Sequence, residues 1–119
     1  MMSRTIVIGD IHGGLKALIQ VLNKIEVQDN DTLIFVGDYV DGWSQSAQII
    51  QFLIELSETI NCVFIKGNHD AWAEEWLRSD EGNPTWDRHG GKETMDSYEG
   101  FTKALKKEHV AFFEDMKMY

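Results

Sequence analysis

The sequence predicts an α/β fold, β-α-β-α-β with a parallel sheet followed by short helices, and three observations carry that expectation. Three short runs rich in β-branched and aromatic residues read as strands: Thr5-Ile6-Val7-Ile8, Thr32-Leu33-Ile34-Phe35-Val36 and Cys62-Val63-Phe64-Ile65-Lys66. Each ends abruptly in glycine and then in residues with carboxylate, amide or imidazole donors. The stretches between them are of helical length and carry apolar residues three and four apart.

Taken in order, the first strand leads through a loop from Gly9 to Gly14 into a helix whose apolar face is Leu15, Leu18, Ile19, Leu22 and Ile25. Gln28-Asp29-Asn30-Asp31 is a polar break with turn chemistry. After the second strand a helical pattern runs from Ser44 through Ile49, Phe52, Leu53 and Leu56, with Ser44 or Ser46 as the expected N-cap. The third strand begins near Asn61 and is followed by a short helix over residues 71–78, for which Asp70 is the expected N-cap. Ser79 to Thr85 reads as a loop containing the only proline, Trp86 to Gly91 as its continuation, and Lys92 to Tyr98 as a short helix. Phe101, Ala104, Leu105, Phe112 and Met116 mark a last amphipathic helix. Right-handed crossovers bring the C-terminal ends of parallel strands to one edge, where ligand sites of open α/β sheets form. The three glycine-closed loops are therefore expected to converge.

Length and composition bound the rest. A chain of 119 residues is expected to form a single domain, residues 1–119, with one core. Its 43% hydrophobic and 26% charged residues fall in the soluble range, and nothing approaches the ~18 consecutive apolar residues of a membrane span. The start Met1-Met2-Ser3-Arg4 runs straight into a strand, and Cys62 lies inside an apolar run as a buried thiol would, so a cytoplasmic setting is expected. A formal charge of −9 argues against a nucleic-acid polymer as partner, because counterion release needs a basic face. Part of the acidity, Asp10, Asp38 and Asp41, sits where a divalent cation would neutralise it.

The loop residues suit metal chemistry. Hard divalent ions take carboxylate oxygen and imidazole nitrogen. Asp10 and His12 offer one of each, Asp38 has two oxygens and sits at a strand end where it could bridge two ions, and Asn68 adds an amide oxygen. His69 directly follows Asn68 and projects differently, as a general acid toward a leaving oxygen would. Such a donor needs a partner to set its tautomer, and Asp41 is the candidate. Glycines 9, 13, 37 and 67 suit either catalysis or simple anion binding.

Gly9-Asp10-Ile11-His12-Gly13, Gly37-Asp38-Tyr39-Val40-Asp41-Gly42 and Gly67-Asn68-His69-Asp70, in this order, resemble the calcineurin-like metallophosphoesterases. Within them the likeness is to the branch of bacterial and phage serine/threonine phosphatases and diadenosine tetraphosphate hydrolases, and it covers nearly all of the chain. It implies the β-α-β-α-β N-terminal half of an αββα sandwich. It further implies hydrolysis of phosphate esters on a protein, nucleotide or small molecule at two divalent ions, manganese favoured over iron, zinc or magnesium. The resemblance puts Asp10, His12 and Asp38 on the first ion, Asp38 and Asn68 on part of the second, and an Asp–His pair at Asp41 and His69.

Two departures from the family pattern shape the expectation. Where the family's second loop carries a phosphate-clamping arginine this chain has Gly42-Trp43, and Arg88 is the candidate substitute, against a surface charge or a different substrate. The family also continues into a second sheet whose histidines complete the second ion site. The chain is accordingly expected to be a fragment, a shortened product, or a subunit completed by another copy. The alternative function is a non-catalytic remnant that binds metal or phosphate. His89 is a candidate to face the site and His109 a structural residue. A sheet lacking a neighbour on one face predicts a homo-oligomer.

Overall fold

The computed structural model describes residues 3–9 and 11–118. Parallel strands β1 (Thr5–Ile8), β2 (Thr32–Phe35) and β3 (Asn61–Phe64) form a sheet in the order β1-β2-β3, with α1 (Leu15–Lys24) and α2 (Ser46–Leu56) as the crossovers. Then follow α3 (Asn68–Ser79), the single turn α4 (Pro84–Trp86), a kinked wide turn Asp87–Gly91, α5 (Lys92–Ser97) and α6 (Lys103–Glu114). No helix among the described residues is long and apolar enough to cross a membrane.

Strand alternation explains where the core lies. The register puts Ile6, Leu33 and Cys62 in one row and Ile8, Phe35 and Phe64 in the next on the same face, and Leu33 and Phe35 are fully buried. Leu18 and Leu22 of α1, Ile49, Ile50 and Leu53 of α2, and Phe113 of α6 join them in the core. Phe64 stacks on Phe35 at 5.2 Å and meets Phe112 of α6 edge-on at 4.7 Å, so the last helix packs on the face that the crossovers already cover. The opposite face carries Val7, Ile34 and Val63 in register, and Val7 is 63% exposed. Burial pushes the Cys62 thiol up to about 11, the behaviour of an inert thiol.

Two polar groups pin the sheet and its flank. The Arg4 guanidinium meets Asp31 through two hydrogen bonds, Nε to Oδ1 at 3.1 Å and Nη2 to Oδ2 at 2.7 Å, joining the starts of β1 and β2. That contact, with the Gln28 N–H, holds the Asp31 carboxyl down at about 2. Arg78 near the end of α3 pairs with both Glu74 and Glu114, linking α3 to α6, and Lys66 pairs with Glu74.

Three sequence expectations need correction. Neither Ser44 nor Ser46 caps α2. Gln45 precedes the helix, and the Ser46 hydroxyl accepts the Asp41 N–H at 3.0 Å, a buried donor from another segment outcompeting the local cap. Nor is Asp70 an N-cap. Helix α3 starts at Asn68, so Asp70 lies in its first turn, accepting from Gly67 N at 2.8 Å, Asp38 N at 2.7 Å and Tyr39 N at 2.9 Å. Lastly, residues 84–91 are not a plain loop. Asn83 Oδ1 caps α4 by accepting from Thr85 N at 2.8 Å, Pro84 occupies the first turn where its missing N–H costs nothing, and Trp86 is fully buried.

His109 is structural, as its position on α6 predicts. It is buried, with Nδ1 2.7 Å from the Tyr98 hydroxyl and Nε2 2.8 Å from Gln51 Oε1. Burial lowers its pKa to about 4, below the usual 6.5. Between those values the unfolded chain binds the proton that the folded chain refuses, so His109 contributes a loss of stability on acidification from 6.5 toward 4, opposed over the same range by Asp70, whose raised carboxyl takes up a proton in the folded state. Urea unfolding across this range checks the His109 part: as the pH falls, His109→Gln, which has no proton to take up there, should gain stability relative to wild type.

Candidate active site

All three loops leave the C-terminal edge of the sheet, and the backbone of the second ties them together. Asp38 O accepts from His12 N at 2.9 Å and Ile11 N at 3.3 Å, and Tyr39 O accepts from Gly13 N at 2.8 Å. His12 O accepts from Trp43 N at 2.9 Å. On the other side, Asp70 receives the Asp38 and Tyr39 N–H groups, and the Tyr39 hydroxyl lies 2.8 Å from Ile65 O and 3.0 Å from Phe35 O. Burial raises the Asp70 carboxyl to about 7, against the pull of its three N–H donors.

These ties hold the side chains in a costly backbone geometry. His12, Asp38 and Asp41 all have positive φ (48°, 54° and 70°), a region that disfavours side chains, tolerated where surrounding structure dictates it and concentrated at functional sites. Gly67 has a steric role: a Cβ there would overlap the Asp38 carboxylate, which lies over the end of β3 with Oδ1 3.3 Å from His69 N.

Among the sequence-predicted residues, the structure brings His12, Asp38, Asp41 and His69 together. His69 Nδ1 is 2.7 Å from Asp41 Oδ2, and the His69 ring meets His12 edge-on at 5.2 Å. His12 Nδ1 lies 3.1 Å from Val40 O, an acceptor that fixes the proton on Nδ1 and makes Nε2 the lone-pair nitrogen. Asn68, exposed, opens α3 beside His69. Asp10 lies outside the described residues. Among the described residues no three His, Cys, Asp or Glu side chains form a group that could hold a metal ion. The chemistry of the donors nonetheless fits a divalent cation: one imidazole nitrogen held by an outer carbonyl, one carboxylate and one amide oxygen, on loops at one edge.

The model of the calcineurin-like phosphoesterase family matches residues 3–116. The chain belongs to this family. It is 27% identical over 95% of its length to the asymmetrical bis(5'-nucleosyl)-tetraphosphatase PrpE of Oceanobacillus iheyensis, covering 49% of that protein. Over 56% of its length it is 37% identical to the symmetrical bis(5'-nucleosyl)-tetraphosphatase of Proteus mirabilis, covering 24% of it. The chain thus spans about half the length of the first of these relatives and about a quarter of the second. Among solved structures it is similar to a protein serine/threonine phosphatase from Saccharomyces cerevisiae, with a TM-score of 0.62 and 22% identity over 98% of this chain and 36% of that one. A metallophosphoesterase from Sphaerobacter thermophilus matches with a TM-score of 0.61 and 21% identity over 94% of this chain and 40% of that one. These structural likenesses bear on the fold.

The candidate site of this family member also has residues that sequence reasoning missed. Trp86 Nε1 donates to Asp41 Oδ2 at 2.6 Å, the Thr94 hydroxyl donates to Asp41 Oδ1, and Asp41 N lies 3.0 Å from both Ser46 Oγ and Thr94 Oγ1. No local pattern signals these contacts: Trp86 reads as a loop residue, and its full burial, with an N–H that needs an acceptor, is visible only in the structure. The wide turn Asp87–Gly91 lies on the second loop. Gly90 has φ +97°, and a Cβ on it would come within 2.8 Å of Gly42 N and 3.1 Å of Asp41 Cβ. Arg88, on this turn, is exposed, and His89 stacks on Trp72 at 6.2 Å, which in turn meets His69 at 5.4 Å.

Proposed function

We propose that this calcineurin-like phosphoesterase hydrolyses phosphate esters with bound divalent metal, manganese favoured. The observation that carries the reading is the His69–Asp41 pair beside His12 and Asp38 at the edge where three loops meet. Asp10, His12 and Asp38 would hold one ion, and Asp38 and Asn68 would contribute to a second. Bound there, such ions supply Lewis acidity toward phosphoryl oxygens and a water activated near neutral pH.

The chain's own residues do the rest. Asp41 accepts from His69 Nδ1–H, so in the imidazolium form the second proton sits on Nε2; that proton passes to the departing ester oxygen and leaves the neutral Nδ1–H tautomer behind. Arg88, on the turn lying against Gly42, is the candidate to orient the phosphate where the family's arginine is missing. The substrate class follows the relatives only as far as a phosphate ester of a protein or small molecule, or a dinucleoside polyphosphate.

A second reading, a non-catalytic remnant that retains one ion, draws on Gly42-Trp43 standing where the family pattern has a phosphate-clamping arginine. Titrating manganese into metal-free protein while assaying p-nitrophenyl phosphate separates the two. Turnover that rises with bound manganese supports the enzyme. One ion per chain with no hydrolysis supports the remnant.

Self-association belongs to the same reading. The row Val7, Ile34 and Val63 is an apolar surface that a second copy would cover. Sedimentation velocity at high concentration is expected to show species larger than a monomer, and a strictly monomeric boundary would remove this element.

A further inference from the structure

We infer that Trp86 and Thr94 are positioning residues that fix the orientation and tautomer of His69 through Asp41. The inference deepens the reading of His69 as proton donor and rests on it for its kinetic consequences, though not for the tautomer itself.

Asp41 is 1% exposed, and both of its oxygens face donors from a segment 45 and 53 residues further along the chain. Indole nitrogen only donates, so the 2.6 Å contact makes Oδ2 an acceptor toward Trp86. Thr94 Oγ1 accepts from Asp41 N at 3.0 Å and has two acceptors for its one proton, Ser46 Oγ at 3.1 Å and Asp41 Oδ1; the carboxylate oxygen is the nearer and stronger of the two. With both oxygens accepting, the 2.7 Å contact to His69 is completed by a proton on Nδ1. Nε2 is then the nitrogen left to take up the second proton of the imidazolium and give it to the ester oxygen.

The donors are themselves immobilised. Trp86 and Thr94 have no exposed surface. The Trp86 ring lies so close on Gly91 that a Cβ there would come within 2.5 Å of it, and Trp76 flanks it at 5.9 Å. Gly90 brings the intervening backbone onto Asp41 and Gly42. The His69 side chain, by contrast, is 25% exposed, and its T-shaped contacts to the His12 and Trp72 rings do not decide which of its nitrogens carries the proton. Hydrogen bonds to a carboxylate are about twice as strong as neutral ones. Held by Trp86 and Thr94, Asp41 is a fixed acceptor; without them it can follow His69 into other rotamers.

Trp86→Phe removes one N–H and keeps an aromatic ring, Thr94→Val is isosteric, and Thr94→Ser keeps the hydroxyl. With manganese present, Trp86→Phe and Thr94→Val are each expected to lower kcat about 10- to 100-fold with little change in KM, while Thr94→Ser stays near wild type. The loss should be larger on phenyl phosphate than on p-nitrophenyl phosphate, whose better leaving group depends less on a proton. Long-range 15N NMR of the metal-free chain is expected to show His69 as the Nδ1–H tautomer in wild type and Thr94→Ser, and as a mixture in the other two.

A wild-type chain without hydrolysis whose tautomer still responds would retire the phosphoesterase reading and leave the positioning role standing. A tautomer unmoved in a folded Trp86→Phe or Thr94→Val, or Thr94→Ser behaving like Thr94→Val, overturns the inference. Thr94→Val and Thr94→Ser carry the test by themselves if Trp86→Phe does not fold.

Discussion

Asp38→Asn is expected to abolish tight manganese binding, weakening it by at least about 100-fold, more than groups one step removed from a metal usually cost, and turnover should be lost with it. Asparagine has the same shape and keeps an oxygen to accept the His69 N–H, which Asp38 Oδ1 meets at 3.3 Å. The backbone ties from Asp38 to Ile11, His12 and Asp70 are untouched by the change. Only the negative charge disappears, and a divalent cation needs that charge most. Metal-free stability should move the other way or not at all. The Asp38 charge is among the influences that raise the neighbouring Asp70 carboxyl, so its removal relieves a repulsion between two acids. Isothermal titration with manganese, beside urea unfolding of the metal-free protein, checks both halves. Unchanged manganese affinity would remove Asp38 from the metal site.

His69→Asn should do the reverse: spare manganese binding and lower turnover by about 10²- to 10⁴-fold, the usual contribution of a placed general acid. The ring is joined to Asp41 at 2.7 Å and sits edge-on to His12 and Trp72. Removing it deletes Nε2 without altering the Asp38 carboxylate or the His12 contact to Val40 O. Comparing p-nitrophenyl with phenyl phosphate sharpens the result, since the poorer leaving group should suffer more. Turnover equal to wild type would show that the proton comes from elsewhere.

The convergence of the loops was legible because it follows from short-range rules. A strand of β-branched residues, a glycine and a donor, repeated with helix-length spacers, forces parallel strands and brings their ends to one edge. The packing of α1 and α2 on the Leu33–Phe35 face was legible from the same periodicity. The local caps were not. Ser46 and Asp70 have the right chemistry to cap a helix, but buried N–H groups of Asp41, Asp38 and Tyr39 claim their oxygens, and such donors lie remote in the chain. Residues 84–91 read as a loop because Pro84 and two glycines break helical periodicity. In the structure Pro84 starts a turn, and Gly90 lets the backbone lie against Gly42.

By itself, the sequence determined the α/β class, the order of the elements and which three turns carry donors, since each depends on residues within a few positions of one another. The tertiary structure alone decided how firmly Asp41 is held and by what, because Trp86 and Thr94 reach it across 45 and 53 residues. It also decided that α6 packs on the same face as the crossover helices, leaving the Val7 side of the sheet open. Contacts between residues so far apart depend on the path of the folded chain, and hydrophobic periodicity, a local property, carries no record of that path.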